Sequence, residues 1–137
     1  MKSAICTGIG AVGTFLAAAL GGWDTAIITL IIFMLIDYLT GILVAAVFHK
    51  SKKTESGGLQ SRAGFKGLCK KVVILLLVVV ANLLDKQIGA NYIRDGVCIA
   101  FIANELLSII ENASLMGIPI PAVIQKALDI LQSKKGE

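Results

Sequence analysis

TAIITLIIFMLIDYLTGILVAAVF, residues 25–48, is long and apolar enough to cross a bilayer, and it carries a single acid, Asp37, at its midpoint. About 14 Leu, Ile, Val and Phe side chains each contribute roughly −0.3 to −0.6 kcal/mol to insertion, against about +2.5 to +3.5 kcal/mol for a central Asp. The span therefore inserts with its acid in place. An ionisable group at that depth is a functional-site hypothesis, and a protonated Asp that merely joins helices by a hydrogen bond is the simpler alternative.

The composition agrees with a membrane protein: 137 residues, 56% hydrophobic and only 16% charged, with a mean hydropathy of +0.84. The expected fold class is all-α and integral to the membrane, with three to four transmembrane helices and a C-terminal amphipathic helix in one domain, residues 1–137. The net charge of +4 sits in clusters outside the apolar runs. It speaks of topology and of anionic lipid headgroups, and not of nucleic acid, because no stacking aromatics accompany the lysines. Cys6, Cys69 and Cys98 are odd in number and widely spaced, so neither a disulfide framework nor a zinc site is indicated. No metal, cofactor or catalytic group is expected. Ala4 to Gly22 follows a single lysine at nearly full membrane length, and so reads as a retained span rather than a cleaved signal.

Four spans are expected, at about 4–22, 25–48, 68–88 and 97–116. The first is marked by small residues: Gly10, Thr14, Ala18 and Gly22 recur every fourth position, and Gly13, Ala17 and Gly21 form a second ridge, a pattern that admits close approach of another helix. After the second span comes a basic loop, 49–71, with His49, Lys50, Lys52, Lys53, Arg62, Lys66, Lys70 and Lys71. The positive-inside rule makes it cytoplasmic, with Gly21 to Asp24 and Gly89 to Tyr92 as external turns and both termini inside. The apolar heart of the third span, Val72 to Leu84, reaches only about 20 Å of a roughly 30 Å core, so Lys70 and Lys71 are expected to snorkel to the headgroups while Leu68 and Cys69 enter. Its one internal polar residue is Asn82. Arg94 and Asp95 read as balanced charges of the external loop.

The fourth segment inserts only marginally, because Glu105 and Glu111 offset its apolar residues. Asn104, Ser108 and Glu111 stand at i, i+4 and i+7 with Glu105 and Asn112 beside them, giving a polar wall suited to a bundle interior, a lumen or the membrane surface. Gly117 and Ile118-Pro119-Ile120-Pro121 then break the helix. In the tail, 121–133, Val123, Ile124, Ala127, Leu128 and Leu131 oppose Gln125, Lys126, Asp129 and Gln132, as expected of a helix on the cytoplasmic surface or on a partner; Lys134 and Lys135 agree with an inside C-terminus. His49, the only histidine, has no nucleophile beside it, and Glu105 and Glu111 are too far apart to share a metal in the His-Glu-x-x-His manner.

Three segments resemble a known family, the toxin-secretion and phage-lysis holins of the clostridial toxin-release type. Asp37-Tyr38-Leu39-Thr40-Gly41 is similar to its Asp-x-x-Thr/Ser-Gly element. Ser61, Gly64, Gly67, Lys70 and Lys71 resemble its Ser-x-x-Gly-x-x-Gly-x-x-Lys-Lys entry to the third span. Asn104-Glu105, Ser108, Glu111-Asn112 and Gly117 to Pro121 resemble its terminal string. The resemblance implies a protein of the bacterial cytoplasmic membrane that homo-oligomerises and opens lesions, through which a cytoplasmic murein hydrolase or a large toxin leaves. On that reading Asp37, Asn82 and the polar wall are costly in a lipid-exposed monomer and face water once subunits surround a lesion. A small proton- or ion-coupled channel could instead use Asp37, Glu105 and Glu111 as a relay, although the spans offer it no Arg or Lys counter-ion. An antiholin-type regulator shares the same motifs.

The topology has a direct check. With single cysteines in an otherwise cysteine-free chain, an impermeant maleimide applied to intact cells should modify a probe at Asn91 and spare one at Ser56. Labelling of Ser56 from outside contradicts the orientation.

Overall fold

The structure is a computed structural model that describes residues 1–135. The extreme C-terminus, Gly136 and Glu137, lies outside the described residues, as does the side chain of Lys135. The described chain is all helical: α1 Lys2–Leu20, α2 Thr25–Ala46, α3 Ser61–Ile88, α4 Ile93–Leu115 and α5 Ala122–Lys135. Three of these, α1, α2 and α3, are long and apolar enough to cross a membrane.

Helix α3 starts well inside the stretch expected to be loop. Arg62, Lys66, Lys70 and Lys71 ride on its first turns, and only residues 47–60 connect it to α2. Its 28 residues span about 42 Å at 1.5 Å per residue, some 12 Å more than a roughly 30 Å hydrocarbon core. The length that the apolar heart lacks is supplied by this basic extension.

Helix α4 is the hub although it carries two acids, Glu105 and Glu111, within its apolar stretch: it packs against α2, α3 and α5. It runs alongside α2 in the same direction, since Arg94 meets Asp24 at one end and Asn112 meets Asp37 and Thr40 further along. α3 runs the opposite way, with Lys71 beside Asp37 and Asp85 at the start of α4. The core between them holds Leu20, Ile27, Leu30, Met34, Val78 and Cys98. Outward positions such as Leu35, Leu39, Leu76 and Leu83 are exposed leucines, the arrangement of a bundle whose solvent is lipid. α5 folds back on α4 through Leu128 and Leu131, which meet Ala103, Leu106 and Ile110. Only these two of the expected five-residue apolar face make that core; Val123 and Ile124 stay exposed.

Helix α1 stands apart. Residues 1–12 are exposed throughout, and a Cβ added at Gly8, Gly10 or Gly13 would meet nothing within 4 Å. Thr14 donates its hydroxyl to the Gly10 carbonyl at 2.8 Å, within the same helix. The small-residue ridges do not continue to Gly21 and Gly22 as expected, because those glycines lie beyond the helix with φ of 88° and 103° and bring it to an end. Left-handed backbone is cheap for glycine and costly for a residue with a Cβ.

What fastens α1 is a polar clamp at its C-terminal end. The Asn82 amide donates to the Ala19 carbonyl at 3.1 Å. Buried Arg94 donates to the carbonyls of Leu20 and Gly22 and forms a forked pair with Asp24 at 2.7 and 3.0 Å. Asp85 accepts the backbone N–H groups of Ile93 and Arg94, both at 2.9 Å, and so satisfies the first turn of α4. The hydrogen bond from Arg94 holds the Asp24 carboxyl below the usual carboxylate range, and Asp24 also caps α2 by accepting from the Ile27 N–H. Arg94, expected to be a loop charge, ties the α1–α2 turn to α3 and α4.

Gly21 sits so close to this clamp that an added Cβ would lie 2.5 Å from Arg94 Nε and 2.7 Å from Asn82 Oδ1, whereas one at Gly22 would meet nothing. Gly22→Ala should therefore lose only the left-handed backbone preference, about 1 kcal/mol. Gly21→Ala should lose that and the clamp geometry, and be the more destabilised of the two. Thermal unfolding in detergent measures the gap, and equal melting temperatures would refute the packing role given to Gly21.

Candidate functional site

One level below the basic end of the bundle, three charged side chains meet. Lys71 Nζ donates to Asp37 Oδ2 at 2.8 Å and to Glu105 Oε2 at 2.9 Å. The side chains of Asp37 and Glu105 are 6% and 8% exposed and that of Lys71 is 15% exposed, so this is a desolvated cluster and not a surface pair. Exposed pairs contribute little, but a buried pair is costly to break, because removing one partner strands the other. Asn112 closes the cluster: its amide donates to the Asp37 carboxylate at 3.1 Å, to the Asp37 carbonyl at 3.2 Å and to the Thr40 hydroxyl at 2.9 Å. Thr40 in turn donates to the Ile36 carbonyl at 2.8 Å. Among the described residues no buried side-chain nitrogen or oxygen lacks a partner.

The sequence dictates this meeting. Asp37 and Thr40 are three apart on α2, and Glu105, Ser108 and Asn112 fall at i, i+3 and i+7 on α4, so each set shares a helix face. Gly41 lies next to Asn112, and an added Cβ there would make ordinary contact with its amide nitrogen at 3.8 Å. Tyr38 has a separate partner: its ring lies over the α3 glycines, and a Cβ at Gly64 would be 3.3 Å from its hydroxyl and one at Gly67 3.8 Å from its ring. The glycine spacing in α3 thus makes room for an α2 tyrosine, which nothing in the glycines themselves announces.

Lys71 departs from its expected role. It does not snorkel with Lys70, which is exposed; it turns inward and supplies the counter-ion that the spans were expected to lack. The cost expected for a lipid-exposed monomer is likewise absent, since Asp37, Asn82, Glu105 and Asn112 are all buried within a single chain and hydrogen-bonded there. Nor does the expected polar wall stay whole. Glu105 and Asn112 turn inward, Ser108 is half-buried, and Asn104 and Glu111 are exposed. Lys50, Lys52, Lys53, Arg62 and Lys66 are exposed, as cations at a membrane surface should be.

The triad forms the floor of a cavity of about 260 Å³, walled by α2, α3 and α4 and roofed by the loop residues Ser51 to Thr54. Among the described residues no group of histidines, cysteines and acids is placed to hold a metal ion. The arrangement can hold or exchange a proton or a small ion, and it can hold three helices together.

The sequence pattern of the bacteriophage holin family matches residues 14–133. The chain is 37% identical over 134 residues to an uncharacterised protein of Clostridium perfringens, covering 95% of this chain and 93% of the relative. An uncharacterised protein of Listeria monocytogenes is 36% identical over 131 residues, 95% of this chain and 88% of the relative. A probable holin of Bacillus phage phi105 is 34% identical over 105 residues, 76% of this chain and 72% of the relative. No solved structure matches.

Lys71→Met should strand two buried carboxylates and destabilise the bundle by about 3–5 kcal/mol. Adding Asp37→Asn and Glu105→Gln to it removes the stranded charge and should recover most of that loss. Unfolding in a detergent titration decides the point. A triple variant no more stable than Lys71→Met would mean that the lysine acts by packing and not by charge.

Proposed function

The chain belongs to the bacteriophage holin family, and from that membership we propose that it oligomerises in the bacterial cytoplasmic membrane and opens lesions that release a cytoplasmic murein hydrolase or a large toxin. The observation that carries the reading is the convergence of all three family-like segments on one buried ionic cluster. Asp37 and Thr40 come from the first, Lys71 from the second, Glu105 and Asn112 from the third. Such a cluster is a latch. While it is made, the charges are matched inside one chain, the exterior is apolar, and the protein is inert in lipid. A lesion lined by these helices needs polar surface toward water, and parting α2, α3 and α4 would provide Asp37, Lys71, Glu105 and Asn112 for it. The bare ridge of α1, with Gly10, Gly13, Thr14, Ala17 and Ala18, is the surface on which neighbouring subunits would pack.

The same cluster favours a second reading. Two acids around one lysine in the membrane are the parts of a proton or ion relay, and Lys71 supplies the counter-ion such a channel requires.

Expressed alone in a bacterium, the protein should accumulate silently and then permeabilise the membrane abruptly, releasing a folded cytoplasmic reporter enzyme. Asp37→Asn keeps the shape of the side chain while weakening the attraction to Lys71, so the onset should come earlier at equal membrane levels. An unchanged onset would remove the latch. Potassium leakage without reporter release, at expression matched to a lytic control, would favour the channel instead.

A further inference from the structure

The cavity above the triad has walls of two chemical kinds. Tyr38, Ile42, Leu59, Ile74 and Leu115 make it apolar, and Lys52, Lys53 and Lys70 bring cations to it. Among the described residues none of these three lysines has an ion-pair partner. Glu111 offsets one of the three, and the triad, with two acids for one lysine, offsets another, so the cavity keeps an excess positive charge on its loop side. The loop is folded and not a slack tether: Ser51 N–H donates to the Gly57 carbonyl at 3.0 Å, the Thr54 hydroxyl to the Gly58 carbonyl at 2.8 Å, and Lys53 N–H to the Ser51 hydroxyl at 3.2 Å. Its lysines are therefore carried in place over the cavity before any ligand arrives, which lowers the cost of binding.

Depth selects among anions. Helix α3 as a whole is about 12 Å longer than the hydrocarbon core, and its basic first turns mark this end of the bundle as the one that reaches the headgroups. An apolar wall beside unpaired ammonium groups at that level matches an amphiphile with a negative head, and ammonium groups bind phosphate oxygens strongly as point charges. We infer that this cavity binds an anionic glycerophospholipid, with its phosphate at Lys52, Lys53 and Lys70 and the apolar part of the molecule along Leu59, Ile74 and Leu115. The site stands whether or not the chain opens lesions. It differs from general attraction to an anionic surface in depending on three particular lysines and on a shaped volume.

Native mass spectrometry of the full-length protein in neutral detergent, titrated with short-chain phosphatidylglycerol, tests it. The Lys52→Gln, Lys53→Gln, Lys70→Gln triple variant should bind about a hundredfold more weakly at low salt, since each juxtamembrane cation is worth somewhat less than a factor of ten. Lys50→Gln with Lys66→Gln, which removes charge from residues that do not line the cavity, should change binding by less than about tenfold. Ala63→Phe keeps every lysine and fills the cavity from α3, and it should abolish binding even if the triple variant folds poorly. Unimpaired binding by Ala63→Phe, or equal weakening per lysine removed in the two lysine variants, would overturn the site in favour of diffuse electrostatic attraction. Displacement of the lipid by an equal concentration of inorganic phosphate would assign the site to a soluble phosphate, and equal binding of phosphatidylcholine would refute the role of the negative head.

Discussion

The bond on which the rest of the structure depends is the one from Lys71 to Asp37 and Glu105. Helix α4 carries too much charge to be comfortable in hydrocarbon by itself, yet it is the helix that the others surround. Its buried acid is Glu105, and Glu105 is matched by a lysine from α3 that also matches the acid of α2. One ammonium group thus makes two helices compatible with the membrane and fixes their register against a third. In lipid, where apolar contact gives no preference for helix over tail, such polar fastenings carry much of the specificity of packing.

A second fastening stands at the other end of the bundle, and the two differ in kind. The Arg94 clamp draws on backbone carbonyls, a partly exposed Asp24 and an acid that satisfies the start of α4, so it ties turns together near water. The Lys71 cluster is enclosed by three helix faces and ties spans together. Between them lies an apolar core without a buried charge, from Leu20 and Ile27 to Val78 and Cys98. The α2–α3–α4 bundle is consequently pinned at two levels, while α1 is pinned at one only and leaves most of its length bare.

Much of this was legible in the sequence, for reasons that can be named. The apolar runs marked α1, α2 and α3 because insertion energies sum over about 20 residues and tolerate one acid. The pair of prolines marked the break before α5, since proline cannot continue a helix. Asp37 stood out as a lone acid in an apolar run, and Glu105 and Asn112 as members of the polar wall of the fourth segment. What stayed hidden was partnership. Lys71 is adjacent to Lys70 and follows a basic run, so local reasoning sends both to the headgroups, and only the approach of α2 and α4 turns one of them inward. Arg94 was masked in the same way by its neighbour Asp95, with which it formally balances. Gly64 and Gly67 carried a spacing whose cause, the Tyr38 ring, lies on another helix. The one signal available was charge: Asp37 and Glu105 stand well inside their spans, a buried acid demands a cation, and Lys71 is the lysine that enters furthest into the third span from its basic end.

The matching of the buried polar side chains of the described residues inside one chain has a consequence for how such a protein can change state. A half-open form, with the triad broken and no water admitted, would leave two carboxylates and an ammonium group unpaired in a low dielectric, which is worse than either end state. Intermediate separations of α2, α3 and α4 are therefore disfavoured. If the protein opens as proposed, the closed and hydrated forms would be divided by a barrier and not joined by a gradual slope. On the proposed function, the hydrated form would require several chains to part their helices together, because one chain offers few polar faces with which to enclose water. The abrupt onset expected of the proposed function would then follow from where the polar residues stand, since the closed chain satisfies Asp37, Lys71, Glu105 and Asn112 together and a partial opening would leave them unpaired.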